Sequence, residues 1–179
     1  MYEHLNPGPP PLATNAATAK VMRNTRRTGT RPELALRRAL HRRGLRFVVD
    51  RTPAGTNRRR RVDILLRGAR IALFVDGCFW HSCPEHSQLP RANREWWRLK
   101  LLGITLRDHD TDAQLAEAGW LVVRVWEHED PEEAAHRVHD LITERTAQPN
   151  DAKGRSAQRS NKMKLRDSDT TRKSLSRTR

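Results

Sequence analysis

Residues 61–81 read RVDILLRGARIALFVDGCFWH, and the fold depends on how this stretch doubles back. Two short runs, RVDILL at 61–66 and RIALFVD at 70–76, are apolar and rich in strand formers, and Arg67-Gly68-Ala69-Arg70 suits a turn between them. A two- or four-residue loop gives the same antiparallel register and sets Asp63 opposite Phe74. Side chains alternate along a strand, so Asp63, Ala72, Phe74 and Asp76 share one face. Asp63 and Asp76 then stand diagonally, roughly 7–8 Å apart, near enough to share a cation through water. Each interrupts an apolar run, where a solitary carboxylate costs free energy unless it is paired or bound to metal. The plainer alternatives are a salt bridge from Asp63 to the preceding arginines, and a strand-ending turn at Asp76-Gly77.

Outward from this hairpin the chain alternates helix and strand. Thr30-Arg31-Pro32-Glu33 has the spacing of a capping box with proline in the first turn, and it opens the helix PELALRRALHRRG. Leu36, Ala39, Leu40 and Arg43 fall on one face, and Gly44 is a natural stop. LRFVVD at 45–50 is a further β-rich run. Residues 92–118 are helical in pattern, with Gly103 and DHDTD at 108–112 suggesting a break. After Gly119, WLVVRVWE at 120–127 is nearly continuously apolar, as befits a strand covered on both faces, and Trp120 and Trp126 read as core. A helix between strands implies a partly parallel sheet. The class is therefore α/β or α+β, with a mixed sheet flanked by helices.

The 179 residues suit one compact domain plus tails, and a hydrophobic content of 36% is low for a chain folded throughout. Residues 1–20 carry NPGPPPLATNAATA without periodicity and read as a disordered extension; 21–146 hold the domain; 147–179 read as a basic, low-complexity tail, also disordered. From Asn150 onward ten Lys/Arg against three Asp give a net +7, half of the chain's +14. This is either a solvated arm or a weak, salt-sensitive DNA contact, and no motif chooses between them. Arginine supplies 29 of the 35 basic residues, and its guanidinium pairs with phosphates and guanine edges as lysine cannot. Such charge points to nucleic acid, since membrane binding calls for an amphipathic basic helix or a lipid anchor as well. No apolar run approaches a transmembrane span, and the proline-rich N-terminus is no signal peptide. A cytoplasmic, nucleoid-associated monomer is the expectation.

Both cysteines lie within FVDGCFWHSCPEH at 74–86. In a chain without a secretion signal, close Cys and His more often bind metal than form a disulfide. Cys78, Cys83 and His86 offer three soft or borderline ligands, and His128 after the last strand offers a fourth, the number a tetrahedral structural zinc site needs. His81 lies in the same loop, and spacing alone allows it to be a ligand or something else. Two buried small hydrophobes would account for the cysteines but not for four convergent ligands. Phe79-Trp80 sits beside them, and Trp96-Trp97 adds two rings on a helix. Apolar pairs usually mean core, yet rings in a Cys/His loop are placed to wedge between base pairs.

Together, TRPE before a helix, the aspartate strand, VDGCFWH at 75–81, EWW at 95–97, RD at 107–108 and GWLVVRVWE at 119–127 resemble the very short patch repair (Vsr) endonucleases, from about Val21 to Asp130. The resemblance implies a restriction-endonuclease-like fold and an enzyme that nicks DNA 5′ to the thymine of a T·G mismatch, the product of 5-methylcytosine deamination. It implies Mg²⁺ held by Asp63 and the Val75 backbone carbonyl, His81 working with the attacking water, and Glu33 near the active site. The capping box explains Glu33 at least as well. Phe79, Trp80 and Trp97 match the aromatic wedge, and Cys78, Cys83, His86 and His128 match the structural Zn²⁺ site, with His128 where many relatives have cysteine. Asp76 replaces a histidine that some members place near the water or metal, and is carried as a catalytic candidate. Ile104 stands for the usual Asn before RD, and Gly29 for the Asp before Thr30. The implied partners are double-stranded DNA with a T·G mismatch, together with mismatch-repair proteins and a DNA cytosine methyltransferase.

The chemistry is coherent. Phosphodiester hydrolysis needs charge neutralised at the phosphate and a positioned water, which Mg²⁺ on Asp63 and a near-neutral His81 supply. Mismatched pairs cost less to unstack, so a wedge reads deformability. The rival classes are a zinc-stabilised DNA-binding module without catalysis, a same-fold restriction-type nuclease with another target, and a basic RNA- or ribosome-associated protein. Asp63 and His81 weigh against the first, dependence on a T·G pair separates the second, and the third leaves the aspartate strands unexplained.

Overall fold

The structure, a computed structural model, describes residues 7–13, 15–24, 28–57 and 59–147. Among them lie the helices α1 (Ala16–Asn24), α2 (Arg31–Arg42), α3 (Arg94–Glu117) and α4 (Pro131–Ala147), and the strands β1 (Val48–Arg51), β2 (Val62–Leu66), β3 (Ile71–Asp76) and β4 (Leu121–Trp126). The hairpin of 61–81 forms as its pattern predicts. β2 and β3 are antiparallel with Ile64 facing Leu73 and Leu65 facing Ala72, a register whose continuation sets Asp63 opposite Phe74. β1 joins β2 antiparallel, and β4 lies parallel to β3 from Ile71–Leu121 to Asp76–Trp126. The parallel pair needs a crossover, and α3 provides it. The result is a mixed sheet in the order β1-β2-β3-β4.

Alternation along the central strands gives the sheet two apolar faces. Ile64, Leu66, Ile71, Leu73 and Val125 pack against Leu36 and Leu40 of α2 and Ala135 and Val138 of α4. On the other face Leu65 and Ala72 meet Leu115 of α3 and Trp120, whose indole N–H donates to the Ala54 carbonyl (2.9 Å). Two helix ends show why the chain turns where it does. Gly44 takes φ 72° after α2, and the Leu45 N–H donates back to the Leu40 carbonyl (3.1 Å). Gly119 does the same after α3 with φ 80°, the Trp120 N–H reaching the Leu115 carbonyl (2.9 Å).

Four sequence expectations change. The 92–118 segment has no break: α3 runs unbroken from Arg94 to Glu117, because the acids of DHDTD are met by cations and a histidine across the cleft described below. The N-terminal extension carries helix α1 from Ala16, capped by the Asn15 side chain, which accepts the Thr18 N–H (2.8 Å). The run at 45–50 pairs as a strand only over Val48–Arg51. Trp126 is half-buried, stacked on His128 with ring planes 12° apart, and so belongs to the Cys/His region. The described residues up to Thr143 form one compact unit. The basic tail from 148 lies outside the described residues, as do residues 1–6. No helix among the described residues is long and apolar enough to cross a membrane.

Candidate active site

The backbone ladder between β2 and β3 stops at Ile64–Leu73, and the Asp63 carboxylate takes the next donor. The Val75 N–H donates to Asp63 Oδ2 (2.9 Å), the one hydrogen bond to this side chain among the described residues. Burial pushes the Asp63 carboxyl up to about 6, opposed by the Val75 N–H and reinforced by the charges of Glu33 and Asp76. The preceding arginines go elsewhere: Arg60 pairs with Asp110 and Thr111, and Arg61 with Asp50.

Asp63 opens into a cleft of about 810 Å³ that also contains Glu33, Asp76, Trp80, His81 and Asp108. Glu33 is 3% exposed and completes the capping box. Its backbone N–H donates to Thr30 Oγ1 (3.4 Å), while its carboxylate accepts from the Gly29 N–H (2.8 Å), the Thr30 hydroxyl (3.2 Å) and Arg37 (2.9 Å). Cap and cleft wall are thus one residue. Asp76, also 3% exposed, accepts from Arg124 Nη1 at 2.7 and 3.0 Å. Burial pushes Asp76 up against the pull of His81 and Arg124.

His81 Nδ1 stands 2.7 Å from Asp108 Oδ2 and 3.6 Å from Asp76 Oδ1. A carboxylate only accepts, so Nδ1 carries the proton and Nε2 is the basic nitrogen. Burial works to lower this imidazole, but the hydrogen bond to Asp108 and the charge of Asp76 outweigh it, and it sits above its ordinary value. Asp108 enters the sequence reading only through the RD motif at 107–108 and the DHDTD run, with no role attached to it. A signal is present, since Asp108 and Asp112 are four apart and share a helical face, but the cluster has the composition of a helix break.

Behind Trp80 the rings form a chain. Phe79 lies 5.1 Å from Trp80 and 5.3 Å from Trp97, each edge to face, and Trp96 meets Trp97 at 4.8 Å. Phe79, Trp80 and Trp97 are all half-buried, a cluster that still presents surface. On the far side of the loop, one ligand atom from each of Cys78, Cys83, His86 and His128 lies within 4.8 Å of the others. Cys78 Sγ is 3.1 Å from His128 Nδ1, Cys83 Sγ 3.8 Å from His86 Nδ1 and 3.9 Å from His128 Nδ1. Ligands on a tetrahedral zinc stand about 3.5 Å apart, so this donor set is compatible with zinc. Burial and the neighbouring Cys83 push the Cys78 thiol up to about 11, so a thiolate there calls for a cation beside it. The Cys78 N–H donates to Glu127 (2.6 Å), tying the loop to the end of β4.

The cleft brings Glu33, Asp63, Val75, Asp76, Trp80 and His81 together; Phe79 and Trp97 join through Trp80, and the four Cys/His ligands gather separately. A carboxylate poised for a cation, an oriented imidazole and a basic rim serve hydrolysis of a charged ester, which makes the class a phosphodiesterase acting on nucleic acid. Comparison with known proteins narrows this. The family profile described as DNA mismatch endonuclease Vsr matches residues 12–86. The Type II nicking enzyme V.NaeI of Lentzea aerocolonigenes is 40% identical over 133 residues, 74% of this chain and 80% of that protein. The Type II nicking enzyme V.XorIIP of Xanthomonas oryzae pv. oryzae is 39% identical over 112 residues, 61% of this chain and 78% of that one. The DNA mismatch endonuclease Vsr of Escherichia coli (strain K12) is 34% identical over 116 residues, 63% and 70% of the two chains. The chain belongs to the Vsr family and is a DNA endonuclease of the nicking kind.

Proposed function

We propose that this endonuclease nicks the strand 5′ to the thymine of a T·G mismatch left by 5-methylcytosine deamination, and so starts short-patch repair. The observation that carries the reading is the company His81 keeps: a carboxylate-held imidazole follows directly on two rings of a half-buried aromatic cluster. Recognition by a wedge and attack by water are then supplied from one loop. Asp63 suits Mg²⁺, because its carboxylate is raised to about 6 and accepts a single hydrogen bond among the described residues. The Val75 carbonyl would be the second protein ligand. Mg²⁺, when bound, neutralises charge on the scissile phosphate. His81 Nε2 takes the proton of the attacking water, and Asp108 keeps Nδ1 protonated and the ring in place. Phe79, Trp80 and Trp97 enter the stack beside the mismatch, where unstacking costs least. Cys78, Cys83, His86 and His128 would hold Zn²⁺, which would brace the loop within a restriction-endonuclease-like domain spanning 21–146. The setting is a monomer in the cytoplasm on nucleoid DNA, alongside mismatch-repair proteins and a cytosine methyltransferase.

The names of two relatives, Type II nicking enzymes, favour a second reading in which the target is another DNA structure. Mg²⁺-dependent nicking of a labelled duplex with one T·G pair, against a T·A duplex and Asp63→Ala protein, decides. Cleavage 5′ to the thymine that disappears in both controls supports repair. Equal cleavage of the T·A duplex supports the second reading.

A further inference from the structure

Arg124 takes no part in the reaction outlined above, yet it organises one side of the cleft. It stands beside Phe74 in the β3–β4 register, and its guanidinium lies 4.8 Å from the centre of that ring. From there it reaches two elements. Nη1 donates to both oxygens of Asp76 on β3 (3.0 and 2.7 Å), while Nε and Nη2 donate to the two oxygens of Asp112 on α3 (3.0 and 2.9 Å). Nη2 also faces Asp108 Oδ1 at 3.8 Å. A planar fork with donors on two edges can hold a strand carboxylate and a helix carboxylate in fixed relation, which a lysine cannot.

What is fixed bears on His81. Asp108 holds its Nδ1 at 2.7 Å, and Asp76 Oδ1 stands 3.6 Å from the same nitrogen. Asp76 is nearly inaccessible and gives both oxygens to Arg124, which leaves it committed to the arginine. Without Arg124, the carboxylates of Asp76, Asp108 and Asp112 would repel one another across the gap between β3 and α3. Asp108 would then be free to draw away from the imidazole.

We propose that Arg124 is a positioning residue for nicking: it clamps Asp76 of β3 to Asp112 of α3, and so holds Asp108 and the His81 imidazole in one orientation, with Asp76 serving the clamp. This rests on the role given to His81 above. A residue of purely structural value would be dispensable once the buried charge beside it is removed. A positioning residue would not.

The test uses the full-length, metal-loaded protein with Arg124→Met/Asp76→Asn and Arg124→Lys. The double variant removes cation and buried carboxylate together, and the lysine variant keeps the charge without the fork. Single-turnover nicking of a T·G duplex, Kd for that duplex, melting temperature and the ¹⁵N-resolved Nδ1–H resonance of His81 are measured on each. The double variant should melt near the parent and bind DNA within about threefold, yet nick on the order of 10²-fold more slowly and lose the hydrogen-bonded His81 resonance. Arg124→Lys should fall about tenfold in rate at unchanged affinity. A double variant that keeps the resonance and nicks within about threefold overturns the proposal. If the double variant does not fold, an undiminished rate in Arg124→Lys overturns it. Loss of affinity in step with rate also overturns it, making Arg124 a DNA contact. A parent protein that leaves the T·G duplex intact instead tells against the repair reading, and the His81 resonance still decides the clamp.

Discussion

Asp63 is a carboxylate held where the fold would prefer none. Its folded value of about 6 lies above the 3.8 of an unfolded aspartate, so the native state binds the proton more tightly. Ionisation therefore costs stability, fully above about pH 6 and not at all below about pH 4. In metal-free protein, Asp63→Asn should raise stability at pH 8 by at most about 3 kcal/mol, with the gain vanishing near pH 4, while nicking is lost. Denaturant melts of the two proteins at both pH values check this, and equal stability at pH 8 would show the carboxylate to be compensated. Protons and cation compete for the same group, so the Mg²⁺ concentration giving half-maximal nicking should rise as pH falls below about 6. Asp63 and its register with Phe74 are legible in the sequence because a strand's period of two leaves no choice of face once the turn is placed. The partners of Asp76 are not, because Arg124 lies 48 residues away on another strand and no local pattern joins them.

At the scale of elements, the loop between β3 and α3 carries both the Cys/His donor set and two rings of the aromatic cluster, and the proposed zinc would brace it. Cys83→Ser should remove about one bound zinc per chain, read by atomic emission, and lower nicking on the order of 10²-fold, because His81 shares the loop. Full activity without zinc would remove the cluster from the mechanism. The rings act differently. Trp80→Ala should lower melting modestly, since the ring packs on Phe79 and Trp97, and weaken T·G duplex binding by about 1–3 kcal/mol in a fluorescence titration. Helix α1 is the element least legible in the sequence, since it begins inside an extension that reads as disordered, while α3 is legible as a helix but not as an unbroken one. Gly103 and the three aspartates of 108–112 argue locally for a break, and tertiary partners on β4 and in the 57–61 segment overrule that preference.

Across the whole molecule, charge sets how the protein meets its substrate. Arg60, Arg61 and Arg124 in the cleft are already paired with acids and contribute shape more than attraction, while Arg59, Lys100 and Arg107 line it without an ion pair among the described residues. Of the chain's net +14, residues 150–179 hold ten Lys/Arg against three Asp, a net +7. A chain ending at 149 should bind duplex DNA less tightly at low salt, with a log Kd against log salt slope shallower by several units, and retain its single-turnover rate. An unchanged slope would show the tail to be free of the DNA. Composition alone announces a nucleic-acid partner, but it says nothing about which bond is cut; the proposed function draws that from Asp63, His81 and the rings.

The unbroken run of α3 carries Trp97 in its first turn and Asp108 three turns on. Eleven residues of helix fix these two points roughly 16 Å apart along its axis. A rigid strut of this kind acts as a gauge. On the proposed function, the distance from the mismatch sensed to the bond cut would be set by the skeleton of the protein, with Ile104 on the cleft wall between the two points.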